Sequence, residues 1–154
     1  MKDYTSFQYC QKIVIFSSDG TSVLLGKRVG EQDYDGVFSF FGGKMEITDK
    51  DILDGLKREK NEELGENVKI KVYTPFTLNL SYRKKDGRNM ILPHYYAIYL
   101  GGTIQINKKE YSEYKWVQLS ELKTFEPKVE TIPNTVMQIL RLQKIMEKED
   151  FVVV

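Results

Sequence analysis

The sequence predicts an α/β domain in which a mixed β-sheet lies between helices. Three observations carry that expectation. Short runs of alternating or β-branched apolar residues recur between turn signals. The hydropathy period changes from two to 3.6 once in the middle of the chain and again near its end. The chain has 154 residues, 41% of them hydrophobic, which suits one domain with a proper core spanning residues 1–154.

In chain order, "QKIVIF", "SSDGT" and "SVLLGKR" read as strand, turn and strand, with Asp19-Gly20 as the hairpin signal. "VFSFF" (Val37 to Phe41) reads as a short buried strand that Gly42-Gly43 ends. Ile52, Leu53, Leu56 and Leu64 fall on one helical stripe, so a helix is expected over Asp49–Leu64. Thr48 and Asp51 have capping-box spacing at its start, and Gly65 suits the position just past its end.

"VKIKVYTPFTLNLSYR" reads as a long strand region broken near Pro75, and "KKDGRN" as a turn. "MILPHYYAIYLGG" reads as a strand in which Pro93 points to an edge or a bulge, with "GTIQI" beside it. "YKWVQL" is a further strand, and Ser120 to Lys123 a short helical turn. Pro133 fits the first turn of a last helix running to about Glu149, with Val136, Ile139, Leu140, Gln143 and Met146 as its stripe.

The charge balance is nearly even, 23 Lys plus Arg against 22 Asp plus Glu. It argues against a basic nucleic-acid coat and gives no reason to expect a membrane surface. No stretch approaches the ~18 apolar residues of a membrane helix, and the N-terminus shows no secretory signal pattern. The single Cys10 excludes an intrachain disulfide and a two-cysteine zinc site, and fits a reducing, cytoplasmic setting.

The densest chemistry sits in "REKNEELG", Arg58 to Gly65. On a helix, Glu59, Glu62 and Glu63 span about 100° of surface beside the leucine stripe. A solvated charged face is the ordinary explanation. Yet nearby like charges cost a helix a few tenths of a kcal/mol per pair. A hard divalent cation offsets that repulsion better than the neighbouring Lys57, Arg58 and Lys60, because Mg²⁺ prefers carboxylate oxygens and bridges to phosphates. Gly42-Gly43 upstream allows close backbone approach to a ligand, and the helix N-terminus favours anions.

With these residues in view, "GGKMEITDKDILDGLKREKNEELG" (Gly42 to Gly65) resembles the Nudix box, G-x5-E-x7-R-E-U-x-E-E-x-G-U with U a bulky apolar residue. Arg58, Glu59, Glu62, Glu63 and Gly65 match it, and "VLLGKR" and "YKWVQLSEL" resemble the family's flanking strands. Four departures stand out. The segment from Gly43 to Arg58 is one residue too long, so the first glutamate of the pattern falls on Asp49 or Lys50. Lys60 replaces an apolar residue and must extend its stem along the leucine stripe. Glu66 stands where an apolar residue is expected, and Phe41 where a proline is usual.

The resemblance implies a Nudix-type α/β/α sandwich and a pyrophosphohydrolase. Its substrate would be a nucleoside diphosphate linked to another moiety: a nucleotide sugar, an ADP-ribose-like compound or a nucleoside triphosphate. Mg²⁺ is the implied cofactor, with Mn²⁺ as an alternative. Glu62 and Glu63 would be the main metal ligands, Glu59 a further ligand or the base, the Gly43 carbonyl an additional ligand, and Arg58 the group that orients a glutamate. Glu46, Asp49, Glu110 and Glu113 are secondary carboxylates. His94 and Cys10 read as structural. A homodimer is compatible with the sequence. The competing reading is a catalytically silent Nudix-fold nucleotide-binding or regulatory domain. Isomerase chemistry on the same fold would need a cysteine better placed than Cys10.

Overall fold

The computed structural model of the protein describes residues 2–154. Its strands are β1 (Gln8–Tyr9), β2 (Lys12–Phe16), β3 (Ser22–Arg28), β4 (Phe38–Ser39), β5 (Lys69–Tyr73), β6 (Leu78–Arg83), β7 (Asn89–Gly101), β8 (Tyr111–Gln118) and β9 (Phe151–Val153). Two α-helices, α1 (Ile52–Leu64) and α2 (Ile132–Leu142), pack against them.

β7 organises the sheet. β1 and β2 run parallel to it along one side, and β5 and β6 pair antiparallel along the other. β3 pairs with β8 over its whole length, so β2 and β4 share its opposite edge. Side-chain alternation divides the apolar residues between two cores. Ile13, Ile15 and Leu24 join Leu56 and Leu64 of α1 on one face; Val14, Phe16, Val23 and Leu25 join Ile132, Val136 and Ile139 of α2 on the other. The result is the expected mixed sheet between helices, an α/β/α sandwich.

Helix α1 begins at Ile52, later than expected, because Asp51 rather than Thr48 caps it. Asp51 has extended backbone and its Oδ1 accepts from the Asp54 N–H at 2.8 Å. Asp49 is occupied elsewhere: its N–H donates to the Glu46 carbonyl, closing a turn, and its carboxylate accepts from the Glu46 N–H. The extra residue of the segment is therefore taken up in the loop, where Ile47 projects into water, and α1 runs as an unbroken α-helix. Ile52 lies off the buried stripe at 42% exposure, whereas Leu56 and Leu64 are fully buried. Lys60 is buried too. Its stem lies among apolar groups and its Nζ donates to the Val68 carbonyl at 2.7 Å.

Four other expectations are corrected. Regular pairing in "VFSFF" is confined to Phe38–Ser39, because Phe41 makes only an isolated bridge to Ile13. "GTIQI" forms no strand. Its backbone crosses the end of α1, where Gln105 and Asn107 N–H groups satisfy the Leu64 and Glu63 carbonyls, and Ile104 and Ile106 pack on the core. Pro93 lies in the most central strand rather than at an edge. The Ile91 carbonyl accepts from Cys10, so the Pro93 nitrogen faces the same side, at the break between β1 and β2 where no ladder donor is required. The last helix stops at Leu142; a 3₁₀ turn follows, and the chain ends in β9, which pairs with β5 and buries Val154.

Leu56→Ala is expected to lower the unfolding free energy by about 3 kcal/mol through lost burial and a residual cavity. Ile52→Ala should change it by under about 1 kcal/mol. Urea denaturation of the two variants checks the contrast.

Candidate active site

The site is the meeting of one turn of α1 with the Gly42-Gly43 segment that follows β4. Gly42 has φ +132°, and any Cβ there would collide with the Gln11 carbonyl. A Cβ on Gly43 would collide with the Glu59 carboxylate. These glycines let backbone and carboxylates approach: the Gly42 N–H donates to Glu63 Oε2 at 2.6 Å. The Tyr111 hydroxyl donates to Glu63 Oε1 at 3.0 Å. Glu63 is only 3% exposed. Burial pushes its carboxyl up to about 8, against the opposing pull of Lys12 and the Gly42 N–H. Burial also raises Glu59, partly offset by Arg58.

Arg58 gathers the carboxylates. Its Nε and Nη2 clamp Asp49 at 2.8 and 2.9 Å, and Nη2 also donates to the Lys44 carbonyl at 3.0 Å. Its Nη1 donates to Glu59 Oε1 at 2.9 Å and Glu62 Oε2 at 3.2 Å, one oxygen of each carboxylate. Glu46 lies farther out at 3.5 Å. Hydrogen bonds from Arg58 hold the Asp49 carboxyl down at about 2. Asp49 thus sits behind the arginine rather than on the cleft.

Glu59, Glu62 and Glu63 line one cleft of about 640 Å³ together with Gly42, Gly43, Lys12, Arg28 and Lys44. Glu46 and Glu110 reach its rim, while Glu113 lies elsewhere, beside Ile104 and Ile106. His94 lines the cleft but is buried, which pulls its imidazole down to about 4, and its Nδ1 lies 2.8 Å from the Leu92 carbonyl. Cys10 is a buried free thiol. Sequence reasoning did not single out Tyr111, Lys12 or Arg28. Nothing in one chain distinguishes Tyr111 from nine other tyrosines.

The donor set suits a hard divalent cation: three carboxylates and the Gly43 carbonyl, all oxygen. That carbonyl already accepts from the Gln11 N–H at 2.9 Å and keeps its second lone pair. Among the described residues no three carboxylates are already gathered as a ligand group. The buried Glu63, however, has hydrogen-bond donors and, among the described residues, no direct cationic partner, and a bound cation would supply the compensating charge.

This fold and this carboxylate turn define a Nudix-type pyrophosphohydrolase. The sequence pattern of the NUDIX domain matches residues 8–138, and the chain belongs to that family. It is 28% identical over 124 residues to the nucleoside triphosphatase NudI of Escherichia coli O139:H28, covering 76% of this chain and 86% of that one. Among solved structures it is similar to a MutT protein from Methanosarcina mazei Go1, with TM-score 0.72 and 20% identity over 93% of this chain and 99% of that one. It is also similar to the NUDIX domain of Shewanella oneidensis NrtR complexed with ADP ribose, with TM-score 0.71 and 19% identity over 91% of this chain and 90% of that one.

Two outcomes follow from this geometry. Gly43→Ala should fold, because the flexible Glu59 side chain can move aside, but should displace that carboxylate. Gly42→Ala should lose about 3 kcal/mol or more, since both φ and a backbone carbonyl oppose it. Thermal melts and a crystal structure of Gly43→Ala test the pair. For metal-free protein, the folded state keeps a proton on Glu63 that the unfolded chain releases near pH 4.5. The Glu63 contribution to stability is therefore full below about pH 4.5 and is lost as pH rises through about 8. Denaturation of wild type and Glu63→Gln across this range should show the variant losing less stability as pH rises.

Proposed function

We propose that this chain, acting as a single domain, is a divalent-cation-dependent hydrolase of a nucleoside diphosphate linked to another group, with nucleoside triphosphates the first substrates to test. The observation that carries this reading is the placement of Glu59, Glu62 and Glu63 on one cleft, with Glu59 and Glu63 turned toward Gly42-Gly43. The similarity to a nucleoside triphosphatase supports it. A cytoplasmic setting belongs to the same reading and is supported by the free Cys10.

Glu59, Glu62, Glu63 and the Gly43 carbonyl would hold Mg²⁺, or Mn²⁺ in its place. When bound, the cation supplies charge neutralisation at the phosphoryl oxygens and acidifies water. Lys12 and Lys44 add positive charge along the cleft for the phosphate chain. Water attacks phosphorus, the new P–O bond forms as the anhydride P–O bond breaks, and the phosphate leaving group departs. Where Glu59 serves as the base rather than as a further ligand, it takes the proton of the attacking water. Arg58 holds Oε1 of Glu59, and the whole carboxylate lies against Gly43. Asp49, by clamping Arg58 on two nitrogens, fixes that orientation.

Glu62→Gln and Glu63→Gln should each lower kcat by about 100-fold or more while the fold survives, because each keeps the side-chain shape but loses the charge that serves the cation. Millimolar Mg²⁺ should raise the melting temperature of wild type and much less that of Glu63→Gln. Near-wild-type turnover of both variants on nucleoside triphosphates would refute the assignment.

A further inference from the structure

The loop between β3 and β4 contains a carboxylate that the reaction does not use. Asp33 lines the cleft, and both of its oxygens are shielded from water without a hydrogen-bond partner among the described residues. Such a group carries a desolvation cost unless a ligand donates to it. Neighbouring cations are engaged elsewhere: Arg28 pairs with Glu31 at 2.5 Å, Lys84 with Asp86 at 3.7 Å, and Lys85 donates to the Gln32 carbonyl at 3.3 Å. Beside Asp33, Tyr34 and Tyr82 meet edge to face, ring centroids 6.0 Å apart. Both line the same cleft as the glutamates. Tyr34 has φ 60° and is 42% exposed. An exposed tyrosine held in the left-handed region is a strained position of the kind found at ligand sites. Burial, with Asp33 next in weight, pushes the Tyr82 hydroxyl up to about 12, so the phenol stays neutral.

We infer that Asp33, Tyr34 and Tyr82 form a nucleobase subsite that selects guanine. The inference deepens the nucleotide-hydrolase reading and rests on it. Two free acceptor oxygens on one carboxylate match two adjacent parallel N–H donors. Guanine presents such a pair on its Watson–Crick edge, N1–H and N2–H. Adenine and cytosine place an acceptor beside their amino group, and uracil and thymine flank one N–H with two carbonyls. The acceptors of those bases would face the carboxylate and repel it. A tyrosine face supplies the sequence-tolerant stacking that any base receives, and the carboxylate supplies the discrimination. Its oxygens are shielded from water in this structure, so the subsite requires the 30–36 loop to be displaced by the base.

The test is calorimetric binding of GMP, IMP and AMP to metal-free protein, followed by hydrolysis of the nucleoside triphosphates with Mg²⁺. GMP should bind about 10-fold or more tightly than AMP, with IMP, which lacks the N2 amino group, between them. Asp33→Asn turns one acceptor into a donor. It should abolish the GMP preference without lowering the melting temperature, since it removes an uncompensated buried charge. Tyr34→Ala should weaken GMP and AMP alike and leave their ratio unchanged. Equal binding of GMP and AMP, binding of neither, or an intact preference in Asp33→Asn would overturn the subsite. A GMP preference without hydrolysis of any nucleotide would overturn the hydrolase reading and leave the subsite standing. Hydrolysis without base preference would do the reverse.

Discussion

The Arg58 guanidinium is the interaction on which the site depends. Five donors in a planar fork reach Asp49, the Lys44 carbonyl, Glu59 and Glu62 at once. It therefore joins the loop before α1 to the carboxylate turn within α1. Without a cation of this shape, the acidic turn would repel itself and the lengthened loop would lose its link to the middle of α1. Lysine could supply the charge but not the bidentate clamp on Asp49. The same geometry explains how the chain tolerates an additional loop residue. The insertion ends in solvent at Ile47, and Asp49 still returns to the arginine.

Glu63 shows the opposite economy. It is buried, hydrogen-bonded by Gly42 and Tyr111, and raised in pKa by its surroundings. A residue chosen for stability alone would not be a carboxylate here. Its position makes physical sense when a cation arrives in the cleft. Two glycines make room for the arrangement, so the backbone of Gly42-Gly43 and the face of α1 form one unit. Buried carboxylates with shifted titration gathered at one place are the mark of a binding or catalytic region.

Much of the fold was legible because its signals are local. Ile13 and Ile15 alternate with Val14 and Phe16, and that alternation names the two faces of β2 directly. The helix stripe identified Leu56 and Leu64, and the glutamate spacing placed Glu59, Glu62 and Glu63 on one surface. Legibility failed where a distant partner decided the outcome. "GTIQI" has strand composition, yet the free carbonyls at the end of α1 recruit the N–H of its Gln105 and that of Asn107 just beyond it. Pro93 violates the usual rule for a central strand because the break at Gln11 removes the demand for its donor. The helix expected to run to about Glu149 stops at Leu142, and Phe151–Val153 beyond it pairs with the open edge of β5.

The sequence by itself determined the class of the protein, the α/β order and the carboxylate turn, because periodicity and motif spacing act within a few residues of one another. Tertiary structure alone decided which carboxylates face the cleft, which one holds the arginine, and which remains without a partner. Asp49 and Asp33 are both loop aspartates in the sequence. One is bound on both oxygens by Arg58 and the other is buried with no donor. That difference lies in what the fold brings near each side chain, and burial and hydrogen bonding are properties of neighbours in space, not of neighbours in the chain.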